Sequence, residues 1–248
     1  MVSIIIMEER YNRIILVEGI GKEGQAKLKA AKVLVIGAGG LGSPALFYLT
    51  AAGVGTIGIM DDDEVSISNL QRQILHFTSD LGRQKTDSAR QKLQALNPDI
   101  KIMTYNTRFS VENMNEVERY DFVLDCSDNY ATKYLINDTC VALRKPFSHG
   151  AVIAMRGEVM TYLPGTACYR CVFEAPPEDG LMPTAAQAGI LGSVAGIIGS
   201  IQATETVKYM VGMNDLITNR IQIVDAKTMS FFSLTVKKRN SCICNRYN

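Results

Sequence analysis

The stretch VLVIGAGGLGSPALFYL at residues 33–49 decides how this chain folds. Four β-favouring residues run into Gly37-x-Gly39-x-x-Gly42 and then into an apolar-periodic segment, the order of a strand, a glycine-rich turn and a helix. Such a turn aims backbone N–H groups and a helix N-terminus at an anion. Asp61 follows Gly42 by 19 residues at the end of the next strand-like run, where a dinucleotide fold holds a ribose hydroxyl. NAD and ATP satisfy this pattern equally well.

Working outward, strand-like runs recur at residues 33–36, 56–60, 100–104 and 122–124, with helical patterns between them. That alternation predicts βαβ units and a parallel sheet. In residues 83–96, Ala89, Leu93 and Leu96 fall at helical spacing and predict one buried face. Beyond Gly150 the runs shorten to 152–155 and 159–163, with a hairpin expected at Arg156–Gly157. A last pair, 221–224 and 231–236, surrounds a turn at 225–228. The expected class is an α/β Rossmann-like, mainly parallel sheet with helices on both faces, extended by antiparallel strands in the C-terminal half.

Composition narrows the function classes. The chain has 248 residues, 47% hydrophobic and 21% charged, the balance of a soluble globular protein. A net charge of +1 without a basic block argues against nucleic acid as a partner. The N-terminal apolar run is too short for a secretory signal, so a cytoplasmic location is expected. Residues 185–201, AAQAGILGSVAGIIGSI, fall short of a membrane span of about 20 residues and predict a helix buried in protein. There Gly189, Gly192, Gly196 and Ser200 would admit close backbone approach. Residues 174–183, rich in proline and acid, predict a surface loop.

The segment DDDEVSISNLQRQ at 61–73 bears on the nature of the anion. Asp61, Asp63, Asn69 and Arg72 suit a metal–polyphosphate better than a nicotinamide ring, which needs an apolar slot. Lys85 lies four residues before Ala89, which puts a cation on the inward side near a helix start. LDCSDN at 124–129 closes the fourth strand, so Asp128 either faces the crevice at the strand ends or caps a helix beginning near Asn129.

Together these motifs resemble the ubiquitin-activating-enzyme-like family of bacterial sulfur-carrier adenylyltransferases, the group of the molybdopterin-synthase and thiamine-biosynthesis activators. RYNR at 10–13, GAGGLGSP at 37–44, AGVG at 52–55, the acids Asp61 and Asp63, SNLQRQ at 68–73, Gly82-x-x-Lys85, LDCSDN and CYRC at 168–171 match in order over nearly the whole chain. The resemblance implies ATP- and Mg2+-dependent adenylylation of the C-terminal glycine carboxylate of a ubiquitin-like carrier ending in Gly-Gly. It implies that Gly37, Gly39, Gly40 and Gly42 hold phosphates, Asp61 holds the ribose with Asp63 also among the cofactor-binding residues, and Asn69, Arg72 and Lys85 contact the triphosphate. Asp128 would hold magnesium beside Asn129, and Arg13 would reach the partner's site in a homodimer. One domain over 1–248 is implied, with an N-terminal helical segment (1–30), a nucleotide-binding half (31–150) and a carrier-binding and zinc half (151–248). His76 and His149 match no triad or metal spacing and read as structural or surface residues.

Six cysteines in a reducing compartment argue against disulfides. Cys168-x-x-Cys171 and Cys242-x-Cys244 suggest a tetrahedral zinc site clamping the tail to the body, as relatives have, although the second pair is one residue shorter than theirs. Cys126 and Cys140 read as small buried hydrophobes. Several relatives carry a reactive cysteine before the glycine-rich helix; the counterpart here is Ala185, so the reaction is expected to stop at the acyl-adenylate. Rival readings are adenylylation of a peptide or small carboxylate, a nicotinamide-dependent oxidoreductase, and a zinc-stabilised binding module without chemistry.

Overall fold

The structure, a computed structural model, describes residues 9–178 and 185–247. Two helices, α1 (Asn12–Ile15) and α2 (Gly21–Ala30), precede β1 (Lys32–Ile36), α3 (Gly42–Ala52) and β2 (Thr56–Met60). Next come α4 (Lys85–Leu96), β3 (Lys101–Tyr105), β4 (Phe122–Asp125), α5 (Tyr130–Ala142), β5 (Phe147–Ile153) and β6 (Arg156–Tyr162). The last elements are α6 (Tyr169–Val172), α7 (Ala185–Ala188), α8 (Gly192–Val211), β7 (Arg220–Asp225) and β8 (Ser230–Thr235).

Among the described residues the strands form one eight-stranded sheet in the order β3-β2-β1-β4-β5-β6-β7-β8. Pairing is parallel from β3 through β5 and antiparallel from β5 to β8. The expected change from parallel to antiparallel is therefore present. Strand β1 shows why its run is continuously apolar: Val33 and Val35 pack on one face with Leu46 and Leu49 of α3 and Ile198 of α8. Leu34 and Ile36 pack on the other face with Ile136 and Cys140 of α5. A parallel strand covered on both sides needs apolar residues at every position. The chain leaves β1 toward β2 and β3, then crosses back to β4, so a crevice opens at the carboxyl ends of β1 and β4.

Several sequence expectations are corrected. The β5–β6 turn lies at Ala154–Met155 rather than at Arg156–Gly157, which begins β6. Ala154 adopts a left-handed φ of 51°, held by its N–H to Gly189 O and by the N–H of Leu191 to its own carbonyl, both at 2.8–2.9 Å. Those bonds also split the helix expected over 185–201: Ile190 bridges Ala154, and α8 starts afresh at Gly192. Within this chain Gly192 and Gly199 are the close approaches on α8, where a Cβ would stand 2.5 Å from Gln71 O and 2.2 Å from Leu41 O. A Cβ on Gly189 or Gly196 would meet nothing within 4 Å among the described residues. On α4, Ala89 and Leu93 are fully buried, but Leu96, the last residue of the helix, is 39% exposed. Strand β3 begins one residue later than expected.

No helix among the described residues is long and apolar enough to cross a membrane. The N-terminal apolar run, part of the loop expected at 174–183 and residues 183–184 of the segment before α8 lie outside the described residues.

Candidate active site at the carboxyl ends of β1 and β4

The glycine turn is shaped by steric necessity. Gly37 has φ +100°, and a Cβ there would meet the Cys126 carbonyl oxygen at 2.5 Å. A Cβ on Gly42 would stand 2.0 Å from Gly37 O. These two positions press the loop against the end of β4 and let α3 begin inside the crevice. The N–H groups of Gly39, Gly40 and Leu41 have no hydrogen-bond partner among the described residues, leaving donors at the N-terminus of α3 for an anion.

Asp61, at the end of β2, braces this loop. Its carboxylate accepts the Ala38 N–H at 2.7 Å and the Asp63 N–H at 2.9 Å. Burial pushes the Asp61 carboxyl above its ordinary value, outweighing the opposing Lys85 charge and both N–H bonds. Lys85 opens α4 with its side chain buried, its Nζ 2.6 Å from Asp63 and 3.8 Å from Asp61. Carboxyl oxygens of Asp61, Asp62 and Asp63 lie within 4.8 Å of one another, but Arg108 pairs with Asp62 at 3.2 Å and Lys85 with Asp63. The triplet is thus occupied by cations of the protein itself.

Arg72 lies along the loop: a Cβ on Gly40 would touch its aliphatic stem at 3.6 Å, and its Nη1 donates to Ser68 O at 3.0 Å. Asn69 accepts the Ser66 N–H at 3.1 Å and keeps its own amide N–H groups unpaired among the described residues. At the end of β4, Asn129 is the N-cap of α5, its side chain accepting the Thr132 N–H at 2.9 Å. The capping role considered for Asp128 therefore belongs to Asn129. Asp128 is exposed, with a carboxylate unpartnered among the described residues, the donor type that a hard dication takes.

Arg13 is not brought to this cluster. Arg10 donates to Leu96 O at 2.9 Å and Tyr11 accepts from Asn97 at 2.8 Å, which fixes α1 at the far end of α4. Helix α4 is 12 residues long, about 17 Å at 1.5 Å per residue, and Lys85 is at its other end.

Sequence reasoning overlooked the charge network beneath the crevice. Asp125, three residues before Asp128, is buried and bonded to Ser127 Oγ at 2.6 Å and His149 Nδ1 at 2.7 Å. Lys133 Nζ sits 3.3 Å from Asp125 and donates to Ser127 O at 2.7 Å and Gly150 O at 2.8 Å. Burial raises the Asp125 pKa, but Lys133 and His149 outweigh it and hold the carboxyl at about 2. Spacing gave a signal in hindsight, since Asp125 ends the strand and Lys133 lies one turn into α5. His149 is fully buried, and His76, also buried, bridges Ala38 O at 2.9 Å and Ser88 Oγ at 2.8 Å.

At the opposite side of α5 the four expected cysteines converge. Sγ atoms of Cys168, Cys171, Cys242 and Cys244 lie within 4.8 Å of one another and all four residues are buried. Cys168 and Cys242 are 3.5 Å apart and Cys171 and Cys244 3.6 Å. Tetrahedral Zn–S bonds of about 2.3 Å would set such separations near 3.8 Å. The shortened pair is accommodated by a 3-10 turn, Ile243–Asn245, following an extended Cys242. Burial pushes the Cys244 thiol up to about 12 and raises Cys168 as well, while at Cys171 burial is outweighed by hydrogen bonds, the Arg239 N–H foremost, that lower its thiol; four converging sulfurs are a donor set that fits a thiolate-loving dication. Burial likewise raises Cys126 and Cys140.

Comparison with known proteins bears on this geometry. A family model described as the ThiF family matches residues 11–245. The chain is 42% identical over 241 residues to a sulfur carrier protein adenylyltransferase of Thermus thermophilus, covering 94% of this chain and 89% of that one. It is 40% identical over 235 residues to the SAMP-activating enzyme E1 of Haloferax volcanii, covering 94% and 87%. Over 237 residues it is 44% identical to the adenylyltransferase and sulfurtransferase MOCS3 of Culex quinquefasciatus, covering 94% of this chain but 54% of that protein. The chain thus spans about half the length of its MOCS3 relatives. Among solved structures, E. coli MccB superposes with a TM-score of 0.83 over 95% of this chain and 71% of MccB, at 21% identity, a likeness of fold.

Proposed function

The chain belongs to the ThiF family, whose matched relatives are named adenylyltransferases and activating enzymes, and from that premise we propose that it adenylylates the C-terminal glycine carboxylate of a ubiquitin-like sulfur-carrier protein. The observation that carries this reading is the set around one crevice: free N–H groups at Gly39–Leu41, Arg72 against Gly40, buried Lys85 between Asp61 and Asp63, and unpartnered Asp128. The nicotinamide reading rests only on the strand–glycine–helix unit and Asp61.

The chemistry asks little of acid–base groups. A terminal carboxylate with a pKa of about 3.5 is ionised at neutral pH and attacks the α-phosphorus of ATP without a base. One carboxylate O–P bond forms as the bond to pyrophosphate breaks. Residues must then align the nucleophile and stabilise charge on the α-phosphate and the leaving group. In this reading the Gly39–Leu41 N–H groups take phosphate oxygens, Asp61 the ribose, and Arg72, Asn69 and Lys85 the triphosphate. Asp128 holds Mg2+, which supplies neutralisation of phosphate charge when bound. The cysteines hold structural Zn2+ and tie the C-terminal tail to α6.

The position of α1 supports a homodimer in which Arg13 acts in trans: the arginine is exposed and about one helix length from its own Lys85. An apolar groove of about 530 Å³ between α3 and α8, lined by Tyr48, Ile74, Ile197, Ile201 and Phe231, offers a face for a protein contact. Because the position equivalent to a relative's cysteine is Ala185, no thiol stands there to take the acyl group, and sulfur enters from another donor. ATP–pyrophosphate exchange tests the whole reading, using carriers that end in Gly-Gly and the same carriers without the last glycine. Exchange that requires the intact tail supports it; ATP binding with no exchange on any carrier replaces it by a peptide or small carboxylate.

A further inference from the structure

His76 is buried deep in the protein and the adenylylation scheme leaves it without a task. Its surroundings fix its tautomer. Ala38 O, 2.9 Å from Nε2, can only accept, so the ring proton resides on Nε2. Nδ1 is then an acceptor, and its partner at 2.8 Å is the Ser88 hydroxyl, which donates. Ser88 Oγ in turn accepts from Lys92 Nζ at 2.7 Å, and Lys92 is anchored on Asp80. Donors therefore run in one direction, from the Lys92 ammonium through Ser88 and His76 to the Ala38 carbonyl. Each member polarises the next.

The carbonyl at the end of this chain belongs to the Ala38–Gly39 peptide. No cis bond occurs among the described residues, and in a trans peptide C=O and N–H point oppositely. Holding Ala38 O toward His76 consequently turns the Gly39 N–H away from the protein interior, where no protein acceptor meets it. The preceding peptide is fixed as well, by Ala38 N–H to Asp61 at 2.7 Å. Two successive peptides of the glycine turn are thus clamped from opposite sides, by an acid on β2 and an imidazole on the segment before α4.

We propose that His76 is a positioning residue for the phosphate loop, its Nε2–H tautomer orienting and polarising the Ala38–Gly39 peptide so that the Gly39 N–H is aimed at a nucleotide phosphate. This rests on the adenylylation reading for the identity of the anion. Burial also lowers the pKa of His76 below 6.5, with Lys92 and Lys85 adding to the effect, which is consistent with a neutral ring that keeps one tautomer.

The first test is long-range 15N–1H NMR on the full chain. Only two histidines are present, so His76→Gln assigns the ring signals by removing one set. A proton on Nε2 of His76 is expected; a proton on Nδ1, or two exchanging tautomers, overturns the proposal. The second test compares His76→Gln, whose amide can still donate near the Nε2 position, with His76→Leu, which cannot. Since removing a whole oxyanion donor costs about 10²–10³-fold, mis-aiming one is expected to lower kcat/KM for ATP about 30-fold in His76→Leu and about threefold in His76→Gln. Equal losses in the two variants, or none in His76→Leu, overturn it. Should His76→Leu not fold, Ser88→Ala replaces it: Ala38 O keeps the proton on Nε2 but the donor that polarises the ring is gone, so a fall in kcat/KM supports the proposal and an unchanged kcat/KM overturns it. If wild-type protein binds ATP but shows no exchange with any carrier, the carrier reading fails, and ATP affinities of the same variants decide the role of His76. If wild-type protein binds no ATP, both fall.

Discussion

The crevice at the ends of β1 and β4 and the cysteine cluster beyond α5 are both built from polar groups brought together across long stretches of chain, yet they are held in opposite ways. In the crevice every buried charge has a protein partner: Lys85 has Asp61 and Asp63, and Asp125 has Lys133 and His149. Among the described residues, the unpaired groups it presents outward are the N–H groups of Gly39–Leu41, the Asn69 amide and the Asp128 carboxylate. The cysteine cluster has four inward-facing sulfurs with only weak contacts among themselves and one N–H, from Arg239 to Cys171 at 3.4 Å. One site is organised by ion pairs and hydrogen bonds within the protein; the other gathers four sulfurs around a common centre, where the proposed zinc would supply the strong bonds.

The sharpest way to break this contrast is to remove the groups the crevice presents outward. Asp128→Ala and Lys85→Met are each expected to cut kcat for pyrophosphate exchange by about 10²–10³-fold, or about 3–4 kcal/mol in the barrier. Their thermal midpoints separate the two roles. Asp128→Ala should leave the midpoint unchanged, because an exposed, unpartnered carboxylate contributes no folded-state contact. Lys85→Met should shift it, because Asp61 loses its buried cation. A large midpoint drop for Asp128→Ala would mean that the acid is structural and that the crevice is less organised than its geometry implies.

The cysteine cluster predicts the reverse pattern. Cys171→Ser or prolonged chelation should release bound zinc and cost about 3 kcal/mol of stability. At 2–4 °C per kcal/mol for a chain of this size, that is a fall of roughly 10 °C in the midpoint. ATP affinity should remain within about twofold, since none of the residues assigned to the nucleotide is hydrogen-bonded to the four cysteines. Metal analysis of purified protein provides the stoichiometry, and one zinc per chain is expected. Loss of ATP binding on chelation would show that the two regions share one framework.

How much of this could be read from the sequence follows the same division. Lys85 was legible because helical periodicity ties it to Ala89, and both are buried. Gly37 and Gly42 were legible because a close backbone approach admits no other residue there. The cysteine pairs were legible because sulfur donors recur at short spacing. The hairpin was placed two residues late because Arg156–Gly157 has the composition of a turn, whereas Ala154 takes its left-handed conformation only through bonds to Gly189 and Leu191. The same distant pairing divided the helix expected over 185–201. Periodicity placed Leu96 on the buried face but could not tell that burial ends before the last turn of α4 is complete. Nor could it distinguish Asp125 from Asp128, two acids three residues apart, one facing Lys133 and the other solvent.

That last pair supplies the smallest and most specific prediction. The Asp125 carboxyl is held at about 2, below the value of about 3.9 it has in an unfolded chain. A depressed folded-state pKa contributes stability that is complete above the unfolded value and is lost as pH falls through the folded one. The window is therefore pH 4 to 2, and the contribution is about 3 kcal/mol at most. Urea unfolding of wild-type protein across that window should show stability falling with acid, and Asp125→Asn should flatten the slope at the expense of a lower plateau, since Lys133 then lies buried without its counter-ion. Asp128→Asn should leave the slope as it is. If both variants flattened it equally, the acid sensitivity would belong to the loop as a whole. The crevice would then be held by its general negative charge, and the specific pairing of Asp125 with Lys133 and His149 would no longer explain why it stands ready without a ligand.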